Sequence, residues 1–335
     1  HSSCLHCSLF LKPCNPPKAL PNTHSVSNLH SGAGAFSSFP SIEHNGGELT
    51  LHRLYGKNQP RVDIFWRPWG TQKDSVGFFR SPVNTNPYEA EWRVEREHWW
   101  FSVRRKLLKS VLMVSAPRKG GIIIDVGCGL GSNLTVFDEV GVDVIGLDRS
   151  YDKLKLAKQK VKSYLINGDL LQLPIRNQSI SVIIAMDVLE HLEDDAGGIQ
   201  EMHRCLLPGG TLILTAPAFN FLWGIQDVVT NHKRRYSKKE ILRKLAEGNF
   251  EVVRFSYFNF FLFLPILVAR RAFRLLKFPI RSENEINTPW LNHLLKAVFS
   301  IEPFFLRHFS FPFGVSMFCI AQKAEETTRL QKIVR

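Results

Sequence analysis

Residues Ile122–Asn133 read IIIDVGCGLGSN: an apolar run, an acid, then a turn rich in glycine. Three β-branched residues in a row fit a strand buried on both faces, as in a parallel sheet. The glycines that follow allow a tight turn into a helix and let another molecule approach the backbone closely. Strand-like and helix-like text alternates onward from this point. VDVIGLD (142–148), SYLINGD (163–169), ISVIIAMD (180–187) and GTLILTAP (210–217) are further strands. Between them lie helical segments such as YDKLKLAKQKV and AGGIQEMHRCL, the second stopped by Pro208-Gly209-Gly210. Such alternation predicts an α/β fold with a doubly wound, mostly parallel sheet. FEVVRFSYF and FGVSMFCIAQK supply a sixth and a seventh strand. YSKKEILRKLAEGNF carries a capping box, Ser237 with Glu240, and a helix stopped by Gly248.

Four acids, Asp125, Asp148, Asp169 and Asp187, fall at or near the carboxyl ends of predicted strands. In open α/β sheets the ligand crevice opens at those ends. Gly127, Gly129 and Gly131 form G-x-G-x-G, whereas a dinucleotide fingerprint is G-x-G-x-x-G. Asp125, two residues before the first glycine, would repel a pyrophosphate but suits a cationic amino acid. Asp148, 17 residues beyond Gly131, is placed to accept from ribose hydroxyls. Asp169 is placed to accept from an adenine amine, with Leu170 or Leu171 against the ring. Four acids around one crevice suit S-adenosylmethionine, which carries a sulfonium and an α-amino group and no phosphate. An NAD-dependent oxidoreductase loses on the glycine spacing and on Asp125.

The segments DVGCGLGSN, GLDRS, NGDLLQLP, MDVLEHLEDD and CLLPGGTLILTAP follow one another without a gap within each. Together they resemble the class I S-adenosylmethionine-dependent methyltransferases, closely over Ile122–Pro217. EREHWWFSVRRKLL upstream, HKRRYSKKEI downstream and the closing FPFGVSMFCIAQK are similar to a subgroup with HWWF…RR and H-x-R-R-Y elements; Val103 stands where glycine is expected. The resemblance implies a Rossmann-like, seven-stranded methyltransferase fold with a helical, basic and apolar insert before the last strand. It implies S-adenosylmethionine as cofactor, S-adenosylhomocysteine as product, and a pocket of Asp125, Gly127, Cys128, Gly129, Gly131, Asp148, Arg149, Asp169, Leu170 and Asp187.

His191 is the histidine expected at the crevice, as a general base for an acceptor hydroxyl or as a hydrogen-bonded structural residue. A base is optional, because aligning an activated sulfonium with its acceptor can itself supply roughly 7–11 kcal/mol. His232, Arg234, Arg235 and Tyr236 are candidates for gripping an anionic acceptor, or form a solvated basic face. Trp99 and Trp100, with Arg104 and Arg105 a turn on, form a lid over the site, with Trp100 and Arg104 as candidate substrate contacts, or the tryptophans pack in the core. No metal-ligating set is read: CLHC at 4–7 is a lone C-x-x-C.

The formal charge is +13, and the window from His232 to Arg281 carries a net +10 of it. A basic concentration of this kind favours nucleic acid, phosphorylated substrates or an anionic membrane. The insert FNFFLFLPILVARRAFRLLKF joins a dense apolar run to Arg270, Arg271, Arg274 and Lys277, as in a helix lying in a membrane interface. Against a base-methylating enzyme, the place after the fourth strand reads MDVLEHL rather than N-P-P-Y. The acceptor is then a small or lipid-linked molecule, with nucleic acid and a non-catalytic cofactor-binding scaffold as alternatives. Residues 1–42 hold no acid and nine serines, a composition of disorder that also resembles an organellar import segment. The expected organisation is a disordered extension over 1–85, a methyltransferase domain over 86–325 and a tail over 326–335. Within the domain a helical lead-in spans 89–115, a cofactor core 120–217 and the insert 218–312. The protein is expected in the cytoplasm, peripheral at a membrane, with import into an organelle left open.

Overall fold

The computed structural model describes residues 42–45, 48–51, 62–65, 87–115, 121–140, 144–276, 283 and 288–324. The first strands are β1 (Ile42–Asn45), β2 (Glu48–Leu51) and β3 (Val62–Phe65), an antiparallel three-stranded sheet. The expectation of disorder over 1–85 is therefore corrected at these twelve positions. Asn45-Gly46-Gly47 between two short runs is a hairpin signal that weighed too little against the surrounding composition. The serine-rich start, CLHC and the tail from 325 lie outside the described residues.

Two helices lead in, α1 (Pro87–Glu97) and α2 (Trp99–Ser115). The sheet and its helices then follow as β4 (Ile123–Val126), α3 (Leu134–Val140), β5 (Val144–Asp148), α4 (Tyr151–Ala157), β6 (Tyr164–Asn167), β7 (Ile180–Met186), α5 (Asp195–Cys205) and β8 (Leu206–Pro217). Beyond them come α6 (Ile225–Val229), α7 (Lys238–Glu247), β9 (Phe250–Phe258), α8 (Phe263–Leu276), α9 (Pro289–Phe299), α10 (Glu302–Phe305) and β10 (Ser316–Lys323). The strand order is β6-β5-β4-β7-β8-β10-β9. β4 to β8 pair in parallel, and β10 runs antiparallel to both neighbours. The seven-stranded, doubly wound reading holds.

All four residues of β4 are buried, because helices cover both faces of the sheet. Ile122, Ile124 and Val126 join the core under α5 and α7, while Ile123 joins the core under α2, α3 and α9. The two-residue period of a strand therefore puts Asp125 on the α2 face. There Val103, Leu107, Leu108, Val111 and Leu112 of α2 pack on Ile123, Val182, Ile184 and Ile213. Val103 is fully buried in regular helix, so its β-branched side chain serves packing. Asn292 of α9 fixes the break between α1 and α2: its Oδ1 accepts from Trp99 N (2.7 Å) and its Nδ2 donates to Glu97 O (3.1 Å). Ser150, Asp194 and Ser237 cap α4, α5 and α7 through their side-chain oxygens. The strand order reverses between β4 and β7, and a ligand crevice is expected at that switch point.

Candidate functional site

The glycine turn after β4 is held by the end of β5. Gly127 N and Cys128 N both donate to Leu147 O, at 2.7 and 3.0 Å. Asp148 takes Gly129 N on Oδ2 and Ser150 N on Oδ1, each at 2.8 Å. One half-buried carboxylate thus braces the turn and holds Ser150, the cap of the next helix, with lone pairs left for a ligand. Gly127, Gly129 and Gly131 have φ of 72°, 56° and 83°, which L side chains rarely adopt. A Cβ at Gly127 would stand 2.6 Å from Val188 Cγ2, whereas one at Gly129 would meet nothing within 4 Å. The first glycine is therefore required by protein packing. The second leaves an open cradle.

Asp125 closes the inner end. It is 1% exposed, and its Oδ2 has no hydrogen-bond partner. Burial raises its carboxyl to about 7, Arg104 opposing and Asp148 adding to the rise. Arg104, on α2, is buried and pairs with Asp187 at the end of β7. Asp187 sits at φ 56° and accepts from Thr215 Oγ1 at 3.1 Å. A left-handed non-glycine residue at a strand end stores backbone strain of the kind that clusters at functional sites. An orphaned carboxylate oxygen, a neighbouring guanidinium and an open glycine cradle match the α-amino group, α-carboxylate and ribose of S-adenosylmethionine.

Asp169 Oδ1 accepts from Leu171 N at 2.9 Å, so the loop folds on its own carboxylate. The side chain of Leu170 is buried in the core, whereas Leu171 is 41% exposed. Cys128 is buried too, its thiol pushed well above the usual range by burial, so its side chain serves packing. Arg149 is exposed beside Asp148.

The acceptor candidates divide. Arg235 is buried, donating from Nε to Asp227 Oδ1 (2.8 Å) and from Nη1 to Ala218 O (3.0 Å). Tyr236 is fully buried and donates to Asp195 Oδ2 at 2.8 Å. Both are corrected from substrate grip to framework: Tyr236 bridges to Ala218, just beyond β8, and both side chains are buried. Arg234 donates to Leu192 O and Glu193 O and pairs with Asp195 at 3.3 Å, which ties it to the loop after β7. Trp100 stacks on Phe258 and Phe299, so the lid reading yields to core packing. Arg105 donates to Glu95 O and Arg96 O at the end of α1.

His191 ends a single 3-10 turn, Leu189–His191, and meets the His232 ring edge-on at 4.8 Å between centroids. Desolvation, then His232, push the His191 imidazole down to about 4, although the residue keeps an exposed edge. Glu190 is fully buried, and neither carboxylate oxygen has a hydrogen-bond partner. Glu190 and Glu95, the latter half-buried on α1 and raised above the ordinary carboxylate range by burial, are acids that sequence reasoning passed over. Glu190 stood in plain view beside His191.

Residues 124–214 match the family described as methyltransferase domain. Over this segment the chain resembles the class I S-adenosylmethionine-dependent methyltransferases, and its strand order and left-handed glycine turn agree with that likeness. The chain is 30% identical over 162 residues to a "Probable S-adenosylmethionine-dependent methyltransferase" of Mycolicibacterium smegmatis, covering 47% of this chain and 61% of that one. It is 26% identical over 194 residues to a ubiquinone biosynthesis O-methyltransferase of Escherichia coli (52% and 78%). It is 28% identical over 162 residues to a "Probable tRNA methyltransferase 9B" of Mus musculus (48% and 31%). The chain thus spans about three fifths of the mycobacterial relative's length and under a third of the mouse one's.

Proposed function

We propose that this protein transfers the methyl group of S-adenosylmethionine to a small or lipid-linked acceptor at a membrane surface. The observation that carries the cofactor part is the buried, unpartnered Asp125 Oδ2 beside Arg104 and the open face of Gly129. A buried carboxylate of that kind is costly unless a cation meets it, and the cofactor's ammonium is such a cation. Asp125 binds the amino group, Arg104 the carboxylate, and Asp148 the ribose hydroxyls. Asp169 and Leu171 hold the adenine. The bound cofactor supplies an activated methyl group. The protein's part is then to hold the acceptor in line with it and to exclude water.

The acceptor class rests on charge and surface. Within the basic window Lys233, Arg234, Arg235, Arg243, Lys244 and Arg270 pair with Glu193, Asp195, Asp227, Glu247 and Glu283. Much of the positive charge is thus neutralised internally, which weakens the case for nucleic acid. The relative from Escherichia coli is by its name an O-methyltransferase of ubiquinone biosynthesis. Leu264, Val268, Leu275, Trp290, Phe304 and Phe309 are exposed on α8 to α10 and just beyond, with Arg271, Arg274 and Arg307 among them. No helix among the described residues is long and apolar enough to cross a membrane. An apolar, basic surface of this kind suits docking into the headgroup region.

Co-sedimentation with vesicles tests the membrane part. Vesicles containing phosphatidylserine should carry the protein down, and about 0.5 M salt should weaken this. Equal indifference to neutral and anionic vesicles overturns it. Methyl-labelled cofactor incubated with a lipid extract should give a labelled product in the organic phase; label found only in RNA overturns the acceptor class.

A further inference from the structure

The loop after β7 and the loop after α6 meet in a cluster whose chemistry methyl transfer does not need. Glu190, His191 and His232 each offer one donor atom, and the three lie within 4.8 Å of one another. Glu190 is fully buried with both oxygens unpartnered, and its nearest counter-group is His232 Nε2, 3.9 Å from Oε1. His232 is oriented from behind: its Nδ1 lies 2.8 Å from Asp227 Oδ1. Asp227 is itself fixed by Arg235 Nε and by Gly224 N at 2.7 Å. With the Asp227 carboxylate at Nδ1, the other ring nitrogen, Nε2, is the one that faces Glu190. A carboxylate behind a histidine that faces a further donor is the outer-shell arrangement of metal-ligating histidines.

From this geometry we infer that Glu190 Oε, His191 and His232 Nε2 form a site for a divalent transition-metal cation of the zinc class, oriented by Asp227. The donor set, two imidazoles and one carboxylate, is one that zinc takes with a further position left open. Donors about 2.0–2.1 Å from a tetrahedral ion stand roughly 3.4 Å apart, so the set must contract on binding. His191, free at its outer edge, has the room to move. A cation there would give both orphaned Glu190 oxygens a partner. The inference stands apart from the cofactor reading, since none of the three donors is assigned to the cofactor.

The test uses the full chain carrying Cys4→Ser, Cys7→Ser and Cys14→Ser, which silences the N-terminal thiols, after dialysis against a chelator. Zinc is then titrated by equilibrium dialysis with elemental analysis, and cobalt by absorption. One equivalent of zinc should bind at roughly micromolar affinity or tighter, with a Tm rise. Cobalt should give d–d bands without thiolate charge transfer. Glu190→Gln and His191→Ala should each weaken zinc binding by on the order of 100-fold. Circular dichroism confirms that both remain folded, and His191→Ala, at an exposed position, keeps the test open should Glu190→Gln unfold. Absence of bound zinc in the parent, or binding unchanged in a folded variant, overturns the inference.

Discussion

Replacing Asp125 by asparagine should make the cofactor-free protein more stable while weakening its hold on the cofactor. Burial lifts the carboxyl from 3.8 to about 7. At about 1.36 kcal/mol per pH unit, keeping it ionised in the fold costs roughly 4 kcal/mol. A folded-state pKa raised in this way favours the fold fully below about 4, and that advantage is lost as pH rises to about 7. Asparagine preserves shape and removes the charge, so at pH 8 it should gain about 2–4 kcal/mol, or roughly 5 °C or more in Tm. The gain should shrink steadily as the pH falls from 7 toward 4. Differential scanning fluorimetry across that range measures it, and calorimetric titration of S-adenosylhomocysteine reads the other half. Losing a charge-assisted contact worth about 1.5–3 kcal/mol weakens binding by roughly 10- to 150-fold. A variant destabilised equally at every pH, or one that binds as the parent does, would refute the reasoning.

Other outcomes follow from the same geometry. Cofactor binding by the parent should weaken as pH falls below about 7, with a proton released on binding, because the cofactor's ammonium needs the ionised carboxylate; titration in buffers of different ionisation enthalpy detects that proton. Gly127→Ala should destabilise by about 1–3 kcal/mol, since its Cβ meets Val188 at 2.6 Å. Gly129→Ala should cost only about 1 kcal/mol of stability, and its larger effect should fall on cofactor affinity; equal effects of the two on both readouts contradict the cradle. Tyr236→Phe removes the hydrogen bond to Asp195 and should cost about 1 kcal/mol in Tm measurements, leaving KM for any acceptor unchanged.

The sheet was legible because its evidence is local. Four of the five parallel strands are short apolar runs with an acid at or near the end, and the turn after β4 needs left-handed backbone that glycine announces. Asp125, Asp148 and Asp187 could be placed for the same reason, since a strand end fixes where its last side chain stands. The segment 232–236 was not legible in this way. His-Lys-Arg-Arg-Tyr reads as a cationic grip, but Arg235 and Tyr236 are buried against Asp227 and Asp195. Those partners lie 8 and 41 residues away in the chain, and only the tertiary fold brings them near. Glu190 and His232 meet for the same reason, and no spacing rule joins them. Strands 42–45, 48–51 and 62–65 were hidden by a surrounding composition that argues for disorder.

The most direct test of the whole account is a calorimetric titration of S-adenosylhomocysteine into the full chain, beside NADH and an Asp148→Ala variant checked for folding. The account predicts one site of roughly micromolar affinity for S-adenosylhomocysteine, none for NADH, and loss of binding in the variant, where the brace of Gly129 and the ribose acceptor go together. A folded parent that gives no heat with S-adenosylhomocysteine, or that binds NADH in its place, would contradict it.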